Sequence, residues 1–94
     1  MINSFIVHPN DTVAVVNKSI SKGENVTYIF GDKEITIKAM DDIPTYHKIA
    51  IKVVKKNNDV LKYGEVIGYA TADIELGAHV HTKNLSDVVR MEEV

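Results

Sequence analysis

The sequence contains no cysteine, only three leucines and two prolines, and no uncharged run approaching the length of a membrane span. Without cysteine there can be no disulfide, zinc finger, thiolate metal centre or cysteine nucleophile. The short uncharged runs exclude a transmembrane helix, and the N-terminus lacks the charged-then-apolar layout of a signal peptide. Neither charge sign dominates: 11 basic against 13 acidic side chains leave a net charge of −2, which gives no polyanion-binding signal. There is no phosphate-cradling glycine loop, no nucleophile elbow and no spaced pair of catalytic glutamates. Basic residues are not interleaved with aromatics as in single-strand nucleic-acid binders. The expectation is a cytoplasmic domain with neither membrane nor nucleic acid among its partners. At 94 residues and 10.5 kDa, one domain over residues 1–94 hides roughly 64% of its unfolded surface. That supports one core, not a deep enclosed cleft, so a partner is expected to complete any active site.

What the chain does have is β-branched side chains. Isoleucine and valine together number 24, and six threonines bring the β-branched share to about a third. Such residues are stiff at χ1, suit a pleated surface and are mildly unfavourable in helices, so the composition predicts an all-β fold. Local patterns agree. Phe5–His8, Thr12–Val16, Ile49–Val53, Val66–Thr71 and His79–Thr82 read as strands. Val26–Phe30 and Glu34–Lys38, joined through Gly31-Asp32, read as a hairpin. The only helical candidate is Ser86–Val94, with Ser86 as a cap and the last eight residues as a frayed helix or tail.

One phrase recurs: apolar, two spacers, turn residue, two spacers, apolar. It occurs at Ile20–Gly23–Val26, Ile43–Tyr46–Ile49, Val54–Asn57–Val60 and Ile74–Gly77–Val80. Glycine and asparagine tolerate the left-handed backbone of a tight connection. Tyr46 is the exception and suggests a different turn type there.

Histidine carries the functional suggestion. His79 and His81, two apart in a strand, point to one face and can present two imidazoles to a divalent metal. The alternative is two wet surface histidines that bind nothing. His47 is a candidate third ligand, although the repeat aligns it with Ala78, out of phase with the pair. His8, before Pro9, reads as a surface residue. Asp41, Asp42 and Asp73 are the nearby carboxylates. Asp42 and Asp73 each precede the leading isoleucine of a repeat, which favours turn-forming carboxylates that accept backbone amides over metal ligands. Lys48, Lys52, Lys55, Lys56 and Lys62 read as a solvated basic face.

Three runs carry a resemblance. Asp41-Asp42-Ile43-Pro44-Thr45-Tyr46-His47-Lys48-Ile49-Ala50 is similar to a D-D-I-P-x-G-H-K-x-A signature. Lys62–Ile74 is similar to K-Y-G-x-x-I-G-x-A-T-x-D-I, and Gly77–Leu85 to G-x-H-V-H-T-H-N-L. In this order they resemble the SAF-type domain at the N-terminus of altronate and galactarate dehydratases. In related lyases, including sulfolactate sulfo-lyase, that domain is a separate small subunit. The resemblance implies a β-clip fold and a hydro-lyase acting on sugar acids with iron or another divalent cation, a base removing the proton next to the carboxylate as the 3-hydroxyl departs. It also implies a large catalytic subunit as partner, with assembly into a homo-oligomer compatible. Carried over residue by residue, it marks His47, His79 and His81 as metal ligands and Lys48 and Asn84 as substrate-binding; Lys83, the third substrate-binding candidate, departs from the motif. Tyr46 replaces the usual glycine, and Lys83 a common third histidine, where it could pair with a substrate carboxylate. The competing expectation is a freestanding SAF-like module that binds carbohydrate or protein without chemistry.

Overall fold

The β-branched composition is realised as nine short strands in a computed structural model that describes residues 1–86, and those residues contain no helix. In chain order the strands are β1 (Ser4–Phe5), β2 (Val13–Val16), β3 (Asn25–Phe30), β4 (Lys33–Lys38), β5 (Lys48–Ala50), β6 (Asp59–Lys62), β7 (Glu65–Ala70), β8 (His79–Val80) and β9 (Leu85–Ser86). All pairings are antiparallel. A central sheet runs β1-β2-β5-β8, flanked by the β3-β4 hairpin and by a β6-β7-β9 sheet. The expected all-β class is what the chain adopts.

The repeat explains why the strands are short. Its four turn residues, Gly23, Tyr46, Asn57 and Gly77, all have positive φ, at 88°, 66°, 75° and 89°. Tyr46 therefore makes the same left-handed turn as the others, not a different type. Each turn residue donates its N–H to a carbonyl on another segment: Gly23 to Ala39, Tyr46 to Val16, Asn57 to Ala70 and Gly77 to Ala50. The four receiving residues return the bond, each donating its N–H to the carbonyl of the residue after the turn: Ala39 to Glu24, Val16 to His47, Ala70 to Asn58 and Ala50 to Ala78. Three of the four receiving residues are alanine, and all are buried, because a turn backbone has to dock there. The leading residues of the units pair as isolated bridges, Ile20 with Ile43 and Val54 with Ile74. Beside them, Asp42 Oδ1 accepts Lys22 N–H and Asp73 Oδ1 accepts Lys56 N–H, both at 2.8 Å. These two carboxylates are the turn-forming residues expected from their positions.

Alternation along the central sheet divides the core in two. Ala14, Val16, Ile49 and Ile51 face one cluster with Ile20, Val26, Tyr28 and Ile43. Val13, Ala50 and Val80 face the other, with Val54, Val60, Ala70 and Ile74. Neighbours such as Val13 and Ala14 in β2, or Ile49 and Ala50 in β5, thus enter different clusters, as a period of two requires.

Some expected elements shift. The first strand stops at Phe5, because the amides of Val7 and His8 turn to Asp11 Oδ2 at 3.1 Å each. The strand expected to reach Val53 stops at Ala50, since Lys52 and Val53 already lead into the next turn unit. β6 has no counterpart among the strands expected from sequence, where Val60 marks only the end of a repeat. Ser86, the proposed helix cap, lies in β9, and the remainder of that helix candidate lies outside the described residues.

A candidate metal centre of three histidines

Cross-strand register brings the histidines together. β5 and β8 pair Lys48 with Val80 and Ile49 with His79. Continuing that register by one residue sets His47 opposite His81, and side chains directly opposite in an antiparallel pair share a face. Aligning the repeats with one another put His47 out of phase, but the cluster arises from pairing between units, which follows the antiparallel register instead. The turn at Tyr46 fixes the near end: His47 N–H donates to Pro44 at 3.0 Å and its carbonyl accepts from Val16 at 3.1 Å.

His47 Nδ1 and His79 Nε2 lie 2.9 Å apart and share one hydrogen bond, so one ring nitrogen donates and the other accepts. Ring centroids are 5.1 Å apart for His47 and His79, 4.8 Å for His47 and His81, and 5.4 Å for His79 and His81. One nitrogen from each ring lies within 4.8 Å of the other two. His47 and His79 are half-buried while His81 is exposed, so the cluster opens to solvent on one side. Burial lowers the His79 pKa, and His47, His81 and Lys83 lower it further, against a smaller opposing pull from Asp41. The resulting neutral imidazole is the form that ligates metals.

The donor set fits a divalent metal. Metal–nitrogen bonds of 2.0–2.1 Å put neighbouring ligand atoms of a tetrahedral site about 3.4 Å apart. The nitrogens here, from 2.9 Å out to 4.8 Å, bracket that separation. Three imidazoles with an open side match the pattern of three protein ligands and a free position, and imidazole suits zinc, iron and nickel alike.

The other expected site residues divide. Lys83 is exposed, and its charge reaches His79. Asn84 lies beside the cluster, but both ends of its amide are engaged: Nδ2 donates to His79 O at 2.8 Å and Oδ1 accepts His81 N–H at 3.0 Å. Lys48 alternates with His47 and so leaves β5 on the opposite face, where burial and then Lys62 lower its pKa. The structure does not bring it to the histidines. Asp41 does approach, Oδ2 accepting His79 N–H at 2.9 Å. His8 is exposed, away from the cluster, with Nδ1 accepting Asn10 N–H at 3.0 Å. Asp11, which the sequence marks only as a turn residue, is 1% exposed and binds the loop at residues 7–8 to Gly64. Its bonds to Val7 and His8 are local, but the link to Gly64, 53 residues away, leaves no local signature.

Comparison with known proteins places these features in context. The family model described as the altronate/galactarate dehydratase SAF domain matches residues 2–88. The chain is 39% identical over 92 residues to altronate dehydratase of Bacillus subtilis (strain 168), covering 93% of this chain and 18% of that protein. It is 48% identical over 59 residues to (2R)-sulfolactate sulfo-lyase subunit alpha of Paracoccus pantotrophus, covering 63% of this chain and 85% of the subunit. The corresponding subunit of Chromohalobacter salexigens is 33% identical over 85 residues, covering 86% of this chain and 90% of the subunit. The chain thus spans under a fifth of the altronate dehydratase and most of each alpha subunit.

Proposed function

Because the chain belongs to the altronate/galactarate dehydratase SAF domain family, we propose that it is the small subunit of a sugar-acid dehydratase or related lyase. In this reading His47, His79 and His81 hold a divalent metal, Fe2+, at a site completed by a large subunit. The convergence of three imidazoles within 4.8 Å carries the proposal. The span of the likeness supports the subunit role, since the alpha subunits are covered at 85% and 90% of their length.

The relatives' names point to a shared substrate chemistry. Altronate and sulfolactate are both 2-hydroxy acids. Elimination from such an acid removes the proton on the carbon next to the carboxylate while the substituent on the following carbon departs with its bonding pair. Water leaves in one case and sulfite in the other, and the enol left behind becomes a 2-oxo acid. A bound divalent ion supplies Lewis acidity to the carboxylate and 2-hydroxyl, which acidifies that proton. The chain's own contribution is to present three imidazoles from the β5–β8 register and to place the Lys83 ammonium where a substrate carboxylate would need a counter-charge. Lys48 leaves β5 on the face opposite the three imidazoles, so this reading routes nothing through it.

The test is capture of the tagged chain from its native lysate, followed by a sugar-acid dehydration assay with ferrous iron. Recovery of a large subunit with lyase activity is expected. Replacing both His79 and His81 by Ala should abolish that activity with the fold intact, as judged by circular dichroism. A doubly substituted complex of normal activity would remove the site assignment. Recovery of the chain alone, without activity or metal, would favour a freestanding binding module.

A further inference from the structure

Among the described residues β8 is the last strand of the central sheet, and one of its two edges has no strand beside it. The backbone groups of His79 and His81 are nevertheless satisfied, and mostly by two side chains. Asp41 Oδ2 accepts His79 N–H at 2.9 Å, Asn84 Nδ2 donates to His79 O at 2.8 Å, and Asn84 Oδ1 accepts His81 N–H at 3.0 Å. The His81 carbonyl accepts the amides of Asn84 and Leu85 at 3.0 and 2.9 Å. Beyond its pairing with β5 and the burial of Val80, a two-residue edge strand has little else to hold it, and such elements sit at the low-stability end of a fold.

We propose that Asn84 and Asp41 are positioning residues of the histidine site, standing in for the missing neighbour strand and holding residues 79–81 so that their imidazoles face His47 before any ligand arrives. The chemistry is specific to the side chains. Asn84 has to give a proton at one atom and receive one at another, which an amide does and a carboxylate cannot. Asp41 has only to accept. Its other oxygen makes no bond to the imidazoles, so it acts on them through the backbone of His79. Pre-setting the geometry removes the ordering cost that binding would otherwise incur. This reassigns Asn84 from a substrate contact to a residue that acts through the histidines, and its metal arm rests on the metal reading above.

The experiment uses the full chain with two independent readouts. One is Co2+ titration followed by visible absorption; the other, in metal-free protein, is nuclear Overhauser contact between the imidazole protons of His47 and those of His79 and His81. Asn84→Ala and Asp41→Ala should each weaken Co2+ binding by roughly 10–100-fold and lose the inter-ring contacts, while the methyl resonances of the core keep their positions. Asp41→Asn, which keeps an acceptor oxygen, should restore both readouts to near wild type. Asn84→Asp, which keeps the acceptor and loses the donor, should fall between and substitutes for Asn84→Ala should that variant fail to fold. Wild-type Co2+ affinity and unchanged ring contacts in the alanine variants would overturn the inference. A wild-type chain that takes up no Co2+ would remove the metal reading, leaving the ring contacts alone to decide the positioning role.

Discussion

Asp11 shows how much a single side chain can organise. Its carboxylate is buried, which pushes its pKa up, but the amides of Gly64, Val7, His8 and Tyr63 together outweigh burial and hold it below the ordinary value of 3.8. A depressed carboxylate stabilises the fold above its unfolded pKa, and that contribution disappears as pH falls through the folded value. Stability should therefore fall as pH drops below about 3.8, and Asp11→Asn should remove that part of the pH dependence. The same substitution turns an acceptor for several amides into a group with a donor facing them, at a cost of roughly 2–3 kcal/mol readable by urea denaturation at pH 7. Loss of under half a kcal/mol would show that the amides find other partners. Tyr46 runs the other way. Its φ of 66° is left-handed and its side chain is 72% exposed, so the ring returns little for the strained backbone. Tyr46→Gly should raise stability by roughly 0.5–1 kcal/mol; a drop would mean that the ring makes a contact worth more than the strain. The turn is legible in the sequence from its spacing, but its left-handed conformation is not, because tyrosine is a residue type that seldom adopts positive φ and only its position in the repeat points to it.

At the level of elements, the repeated turn was the informative signal. Its four copies predicted where the chain reverses, and each reversal is there with positive φ. Strand lengths were less legible, since a run such as Ile49–Val53 alternates correctly while its second half is already leading into a turn. The three-histidine cluster was legible only in part. The i, i+2 pair follows from strand geometry, whereas His47 joins it through a pairing 32 residues away that composition and spacing do not encode. Two glycines of the repeat separate backbone strain from crowding. Gly23 has open space where a Cβ would stand, while a Cβ at Gly77 would sit 2.3 Å from the Lys38 carbonyl oxygen. Gly23→Ala should cost roughly 1–2 kcal/mol from left-handed strain alone. Gly77→Ala carries the same strain plus the clash with a backbone atom, roughly 1–3 kcal/mol more. Equal costs in thermal or urea melts would mean that the loop at residues 38–40 yields freely and that the close approach is not a constraint.

The whole molecule is two similar halves sharing a sheet. One half is built on the Ile20–Ile43 bridge and includes the β3-β4 hairpin; the other is built on Val54–Ile74 and includes β6, β7 and β9. Each half alone is too small for an independent core. They are joined by more than proximity, because β2 and β5 send successive side chains into opposite clusters, and Thr12 bonds Leu61 in both directions, its N–H donating to the Leu61 carbonyl at 3.0 Å and its Oγ1 accepting the Leu61 amide at 2.9 Å. Loosening one cluster therefore withdraws the backing of the strands that wall the other. Ile43→Ala and Ile74→Ala, which remove equivalent buried side chains from the two halves, should each cost roughly 2–5 kcal/mol. In both variants, methyl resonances from both clusters should disappear along one denaturation curve. The coupling matters for the site, since β5 belongs to both clusters and carries His47 at its end while β8 brings Val80 into one cluster and His79 to the histidines. If Ile74→Ala melted its own cluster while the other stayed native, the halves would be separable folding units. His47 would then keep its place while His79 and His81 lost theirs, and the three-imidazole geometry would depend on one half alone.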